Sequence, residues 1–232
     1  MGTGVLGGAW DWLGDGANWA GENGVWNRLA EHVYVSGLAL ALACAVALPV
    51  GLWLGHVGRG GALAVNISNA GRAVPVFAVL ALFMVSPLRN AGYTPTVVAL
   101  VLFAVPPLLT NAYVGLREVD RSVVEAARGM GMSGRQLFWK VELPLARGLV
   151  MTGVRSAAVQ VVATATIAAM VGQGGLGRII TAGFNTYNTP QVVAGALLVA
   201  LLALLVEGVL VAADRLVAPS SRHRRTLRTE HS

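Results

Sequence analysis

An all-α integral membrane bundle of five spans is the fold class this sequence predicts, and three observations predict it. Hydrophobic residues make up 55% of the chain and charged residues only 12%, with a mean hydropathy of +0.65. A soluble domain carries about 25% charge. Several apolar runs reach the roughly 20 residues a helix needs to cross a bilayer. The basic residues behind the net charge of +6 are clustered. Arg117, Arg121, Arg128, Arg135, Lys140 and Arg147 share one loop, and Arg222, Arg224, Arg225 and Arg228 share the tail. Such clusters mark the cytoplasmic side of a membrane protein, and this distribution argues against nucleic acid as the partner.

Residues 1–30 form an extracytoplasmic, interfacial segment. It lacks the basic n-region of a signal peptide and carries Trp10, Trp12, Trp19 and Trp26. Indole rings favour the headgroup region, so the segment is either a surface anchor or a contact for a partner outside the membrane. Trp10 with Trp12 is not helical spacing, which argues against a regular amphipathic helix there.

A single membrane domain is expected over residues 31–216, and a basic cytoplasmic tail over 217–232. The spans fall near Val33–Leu54, Ala62–Val85, Thr96–Leu116, Leu149–Val171 and Val192–Ala213. They are helices because the runs are long and lack the ten-residue alternation of barrel strands. The single cysteine, Cys44, lies in an apolar run and builds no disulfide framework. With the basic loop at about 117–148 placed in the cytoplasm, the loop at Arg59 and the tail are also inside. The N-terminus and the loops near 86–95 and 172–191 are then outside, where only Arg28, Arg89 and Arg178 occur.

The 117–148 loop holds the most specific signal, EAARGMGMSGRQLFWKVELP at 125–144. Ser122 with Glu125, and Ser133 with Gln136, each fit a capping box. Two helix starts so close together predict two short helices. Gly129, Met130 and Gly131 lie between them as a permissive hinge. Pro144 is expected to end the second helix at or before Leu143. Met130, Met132, Leu137, Phe138 and Trp139 make the element apolar. On these residues alone it reads equally as a docking surface for a partner or as a lid folded back on its own bundle.

This loop closely resembles the EAA loop of ABC-importer permeases: Glu125-Ala126-Ala127, then Gly129 and Gly131, then Leu143-Pro144. GRAVPV at 71–76, TNAYVGLREVD at 110–120, GMGM at 129–132, VELPL at 141–145 and GQGGLG at 172–177 are similar to the permeases of glycine betaine, carnitine and choline importers. The likeness runs over roughly residues 65–214. Methionine and amino-acid importers share much of the same scaffold.

The resemblance implies a type I importer bundle like that of the methionine permease, with five membrane helices per subunit. Two subunits, identical or homologous, pair with the solute passing between them. It implies a pair of ABC ATPase subunits that bind the ATP and Mg, with no cofactor on this chain and no catalysis by it. It further implies an extracytoplasmic solute-binding protein and residence in a prokaryotic cell membrane. Docking on the ATPase is carried to Glu125, Ala126, Ala127, Gly129 and Gly131, with the adjoining Met130 and Met132 in the same coupling segment.

Polar residues inside spans are the candidates for the translocation path. Arg72 lies three residues before Pro75 and either lines an aqueous path or bonds carbonyls freed by that proline. Pro106-Pro107 is expected to break the third span beside Thr110, Asn111 and Tyr113, as in the broken helices that line transporter cavities. Thr164, Thr166 and Gln160 are weaker candidates, and Arg155 and Glu207 read as a snorkelling or structural pair. Gly172, Gly174, Gly175 and Gly177 follow a span rather than a strand, so they read as a tight turn at an outer constriction and not as a nucleotide loop. The histidines show no metal-ligand spacing, and no Walker A sequence occurs.

The expected function is import of a quaternary-amine osmoprotectant. The alternatives are a permease for methionine or another amino acid and, in a different class, a stand-alone channel or secondary transporter.

Overall fold

A computed structural model describes residues 4–217, apart from Arg72 and Gly172. The described residues are all helix and connection. The helices are α1 (Val5–Gly14), α2 (Val25–Val57), α3 (Gly61–Gly71), α4 (Val76–Met84), α5 (Thr94–Arg117), α6 (Arg121–Gly129), α7 (Gly134–Leu137), α8 (Leu143–Ala168), α9 (Gly177–Asn185) and α10 (Thr189–Val217).

Four of the five expected spans fall within continuous helical stretches. α2, α5, the continuous Gly134–Val171 rod and α10 are long and apolar enough to cross a membrane. The second expected span is two pieces, α3 and α4, bent by 71°; counting them as one gives up to five. Pro75 opens α4 as its N-cap with extended backbone, as a residue without an N–H is suited to do.

α5 is the centre of the bundle, packed between α2 and α8 and touching α3 and α4. The reason is side-chain size. Along one stripe of α2, Ala39, Ala43, Ala47, Gly51 and Gly55 recur at every fourth residue and are all buried. The three alanines cluster with Leu100, Ala104 and Leu108 of α5 and with Ala157, Val161 and Ala165 of α8, while Gly51 and Gly55 face Leu109, Ala112, Tyr113 and Leu116 of α5. Small residues let membrane helices approach closely and gain dispersion contacts where lipid supplies no hydrophobic drive. α10 packs on α8 and α9. It is fastened to α8 by Arg155–Glu207 (Nε–Oε1 2.9 Å) and Arg147–Asp214 (Nη2–Oδ1 2.5 Å). The two intramembrane charges thus form a pair.

Three sequence expectations are corrected. α5 runs unbroken through Pro106 and Pro107, both buried. Pro107 leaves the Phe103 carbonyl without its helical donor, and Gln160 of α8 donates to it at 3.4 Å, the repair by a neighbouring helix that membrane prolines permit. Nor does Pro144 end a helix. α7 passes through a π turn, Phe138–Glu142, straight into α8, with Pro144 in the first turn of α8. The Leu143 N–H bonds the Phe138 carbonyl, five residues back, and the wider turn absorbs the proline. Finally, residues 5–14 do form a helix despite the spacing of Trp10 and Trp12. Ala9 is buried, and Gly8 sits against the Pro190 ring at the start of α10.

Candidate functional site

The basic loop folds onto the bundle at the Arg117 end of α5. Asp120 caps α6, accepting the Ser122 backbone N–H at 2.9 Å. That N–H holds the Asp120 carboxyl below its usual pKa. The expected Ser122–Glu125 capping box therefore does not form. An aspartate two residues earlier competes for the same orphan amide, and an anion at a helix N-terminus is also favoured by the dipole. Glu125, as the fifth residue of α6, carries no cap. The second capping box does form, with the Ser133 N–H donating to Gln136 Oε1 at 2.9 Å and the Gln136 N–H donating to Ser133 Oγ at 3.4 Å.

α6 is sharply two-faced. Val124 and Ala127 are buried and pack with Leu116, Val119, Leu137 and Ala146; Met132, half-buried, joins them. Ala127 and Met132, expected among the contact residues, thus hold the loop to the bundle. Glu125, Ala126, Gly129 and Gly131 are exposed, and Met130 is 73% exposed. Gly131 has φ +82°, where an L side chain is strained. Beyond the turn, Trp139 is 59% exposed and stacks edge-on against Phe138, whose other neighbour is the His56 ring. His56 Nδ1 also meets the carboxylate of Glu142, which is buried in the π turn. This contact joins the end of α2 to the root of the loop.

The glycine-rich turn lies at the other end of α5, roughly 36 Å away along a 24-residue helix. Gly172 is outside the described residues. Glu31 of α2 accepts the Gly175 N–H at 2.8 Å and the Arg28 guanidinium at 2.7 Å. His32, 1% exposed, accepts the Leu176 N–H at Nδ1 (3.2 Å) and reaches the Val162 carbonyl from Nε2 (2.9 Å). These bonds require the neutral ring with its proton on Nε2. Gly175 has φ +93°, and a Cβ there would crowd His32 Nδ1 at 3.0 Å; one on Gly174 would stand 2.4 Å from Glu31 Oε2, and one on Gly177 2.2 Å from the Thr166 carbonyl. Sequence reasoning missed Glu31 and His32 because it looked only for metal spacing among the histidines. Two ionisable residues continuing the apolar periodicity of α2 were the available signal.

Arg72 lies outside the described residues, and Pro75 stands at the α3–α4 bend. The other path candidates sit along the α5–α8 contact. Asn111 donates its amide to the Pro107 carbonyl at 2.8 Å and packs on Gly153. Thr164 is half-buried. The Thr110 and Thr166 hydroxyls are buried without a partner among the described residues.

The sequence model of the "Binding-protein-dependent transport system inner membrane component" family matches residues 47–219, which takes in the second half of the small-residue face of α2, the bend, the two-faced loop and the glycine turn. The chain belongs to this family. Among curated permeases, it is 35% identical over 192 residues to the glycine betaine/carnitine/choline transport system permease protein OpuCB of Bacillus subtilis, covering 83% of this chain and 88% of that one. To the choline transport system permease protein OpuBB of the same organism it is 36% identical over 194 residues, covering 84% and 88%. A chain of the MetNI methionine ABC transporter, crystallised in inward-facing conformations, superposes with a TM-score of 0.72 at 24% identity, covering 84% of this permease and 96% of that chain. That likeness establishes the shared fold.

Proposed function

We propose that this permease is the membrane subunit of an ATP-driven importer for quaternary-amine osmoprotectants such as glycine betaine, carnitine or choline. The observation that carries the transport mechanism is the two-faced α6. The face bearing Val124 and Ala127 is fixed to the bundle, and the face bearing Glu125, Ala126 and Met130 has no partner among the described residues. A lid would need only the first face. The second is suited to a groove on an ATPase subunit, with Gly129 and Gly131 permitting close approach and Met130 adapting to the partner surface. ATP and Mg belong to that partner. Closure of the ATPase pair pushes α6, and the push passes through the continuous α7–α8 rod into the membrane.

The solute assignment rests on the relatives named above, whose printed substrates share a quaternary ammonium. The loop lies in the cytoplasm, the N-terminus and glycine turn lie outside, and a second permease copy or homologue completes the path. Residues 1–30 form the outer segment, 31–216 the translocating domain and 217–232 the cytoplasmic tail. The methionine alternative has only a shared scaffold behind it, and a stand-alone carrier has no use for an unpartnered cytoplasmic face.

The test is uptake by proteoliposomes holding the permease, its ATPase and its solute-binding protein. ATP-dependent accumulation of radiolabelled betaine or choline, absent when the binding protein is omitted, is the expected result. Uptake without ATPase would identify a stand-alone carrier instead.

A further inference from the structure

At the end of the bundle remote from α6, the fold assembles a pocket of about 520 Å³ from three separate stretches: the start of α2, residues 89–93 leading into α5, and the glycine turn running into the start of α9. Arg28, Glu31, Arg89, Tyr93, Gln173 and Arg178 line it. Its cations differ in their commitments. Arg28 is neutralised by Glu31 at 2.7 Å and bonds Asn23 Oδ1. Glu31 is occupied in turn by Arg28 and the Gly175 N–H. Arg89 and Arg178 take part in no ion pair among the described residues, yet they share the pocket. The pocket therefore has two cations in excess, on a side of the chain otherwise poor in basic residues.

We propose that this pocket receives a carboxylate from an acidic side chain of the solute-binding partner, with Arg89 and Arg178 as its fork. The proposal rests on the importer reading and orientation above. A guanidinium presents donors in a planar fork matched to a carboxylate. Both guanidiniums are exposed, so water and salt screen them too well to retain a small free zwitterion. Within a protein interface, the same exposed charges steer encounter and set orientation. Tyr93 and Gln173 add neutral polar groups at the pocket wall, and the pocket adjoins Gly174 of the stapled turn. A docked partner would thus press directly on the outer constriction.

The experiment measures binding of solute-loaded binding protein to permease–ATPase complexes in nanodiscs, at low and high salt. It compares wild type, the single variants Arg89→Gln and Arg178→Gln, the double variant Arg89→Glu/Arg178→Glu and the double variant Arg89→Lys/Arg178→Lys. Gel filtration establishes that each complex has assembled. The wild-type affinity should fall with salt. The double Glu variant should bind about tenfold or more weakly at low salt and lose most of the salt dependence. The Gln variants should lie between, and the Lys variant, which keeps the charge but not the fork, should keep the salt dependence while binding more weakly than wild type. Wild-type affinity in the Gln and Glu variants would overturn the proposal. So would direct binding of glycine betaine alone to the wild-type disc that disappears in the variants, because the carboxylate would then come from the free solute. Failure of the wild-type complex to bind the partner at all would bring down the importer reading itself, and this proposal with it.

Discussion

Glu31 and Gly175, 144 residues apart, are joined by a 2.8 Å hydrogen bond from the glycine N–H to the carboxylate. The bond pins the turn after α8 to the start of α2. His32 repeats the connection one residue further along each partner, through the Leu176 N–H. A glycine turn at a membrane surface would otherwise be the loosest part of the chain. Here its backbone is held from outside itself, so any motion of the turn must carry α2 or break two bonds.

The staple predicts a measurable local stability. Glu31→Ala removes a charge-assisted hydrogen bond worth about 1.5–3 kcal/mol. Hydrogen exchange in the peptide spanning 173–178 should quicken by about ten- to a hundredfold, while the α5 core stays protected. His32→Ala should act in the same direction. Unchanged exchange in both variants would show that the turn is held by something else.

The cap of α6 separates two readings of one sequence. Asp120→Ala should quicken amide exchange in α6 severalfold, whereas Ser122→Ala should leave it near wild type. Because the Asp120 pKa is lowered in the folded protein, its contribution is present above the unfolded value of about 3.9. That contribution is lost as pH falls through the folded value. The reverse order of the two substitutions would restore the Ser122 cap.

Coupling should fail while assembly survives in two variants of the exposed face. Glu125→Lys reverses a charge that caps nothing, and Gly131→Trp adds bulk at a positive φ. Both should insert and pair normally yet abolish solute-stimulated ATP hydrolysis in liposomes. Ala127→Trp differs in kind: it should destabilise the permease itself, because Ala127 is 2% exposed. Full stimulation with Lys at 125 and Trp at 131 would reduce α6 to a lid.

Close helix approach should be intolerant of size. A Cβ on Gly51 would stand 2.8 Å from the Ala112 Cβ, and one on Gly153 2.7 Å from the Asn111 Cβ. Gly51→Leu or Gly153→Leu should therefore lower thermal stability in detergent by at least about 1–3 kcal/mol. Gly37→Leu, with nothing within 4 Å, should be silent, and equal effects at all three positions would contradict the packing described.

Topology is checked by reporters fused after Trp19 and after Val217. They should report opposite compartments, the first outside, as the arginine distribution requires; two reports from one side would remove the five-span arrangement.

The membrane class, the helical spans and the two-part loop were legible in the sequence. Apolar length, arginine clustering and the Ser133–Gln136 spacing are local properties, and local properties survive without knowledge of neighbours. What depended on neighbours was misread. Pro106-Pro107 looked like a break, but Gln160 lies 3.4 Å from the carbonyl freed by Pro107. Pro144 looked like a stop, but the π turn lets the rod continue. Ala127 and Met132 looked like partner contacts, but α6 turns Ala127 into the cluster of Leu116 and Ala146, and Met132, in the turn after α6, packs against that cluster. Glu31 and His32 continue the apolar periodicity of α2, but their partners are loop amides far along the chain, which only the fold brings to them. Composition and periodicity thus determined that this chain is a bundle of membrane helices with a charged hairpin on one side. Only the tertiary structure decided which prolines bend, which polar side chains are satisfied and which face of α6 remains free, because each depends on the donor or void a distant helix brings to the site.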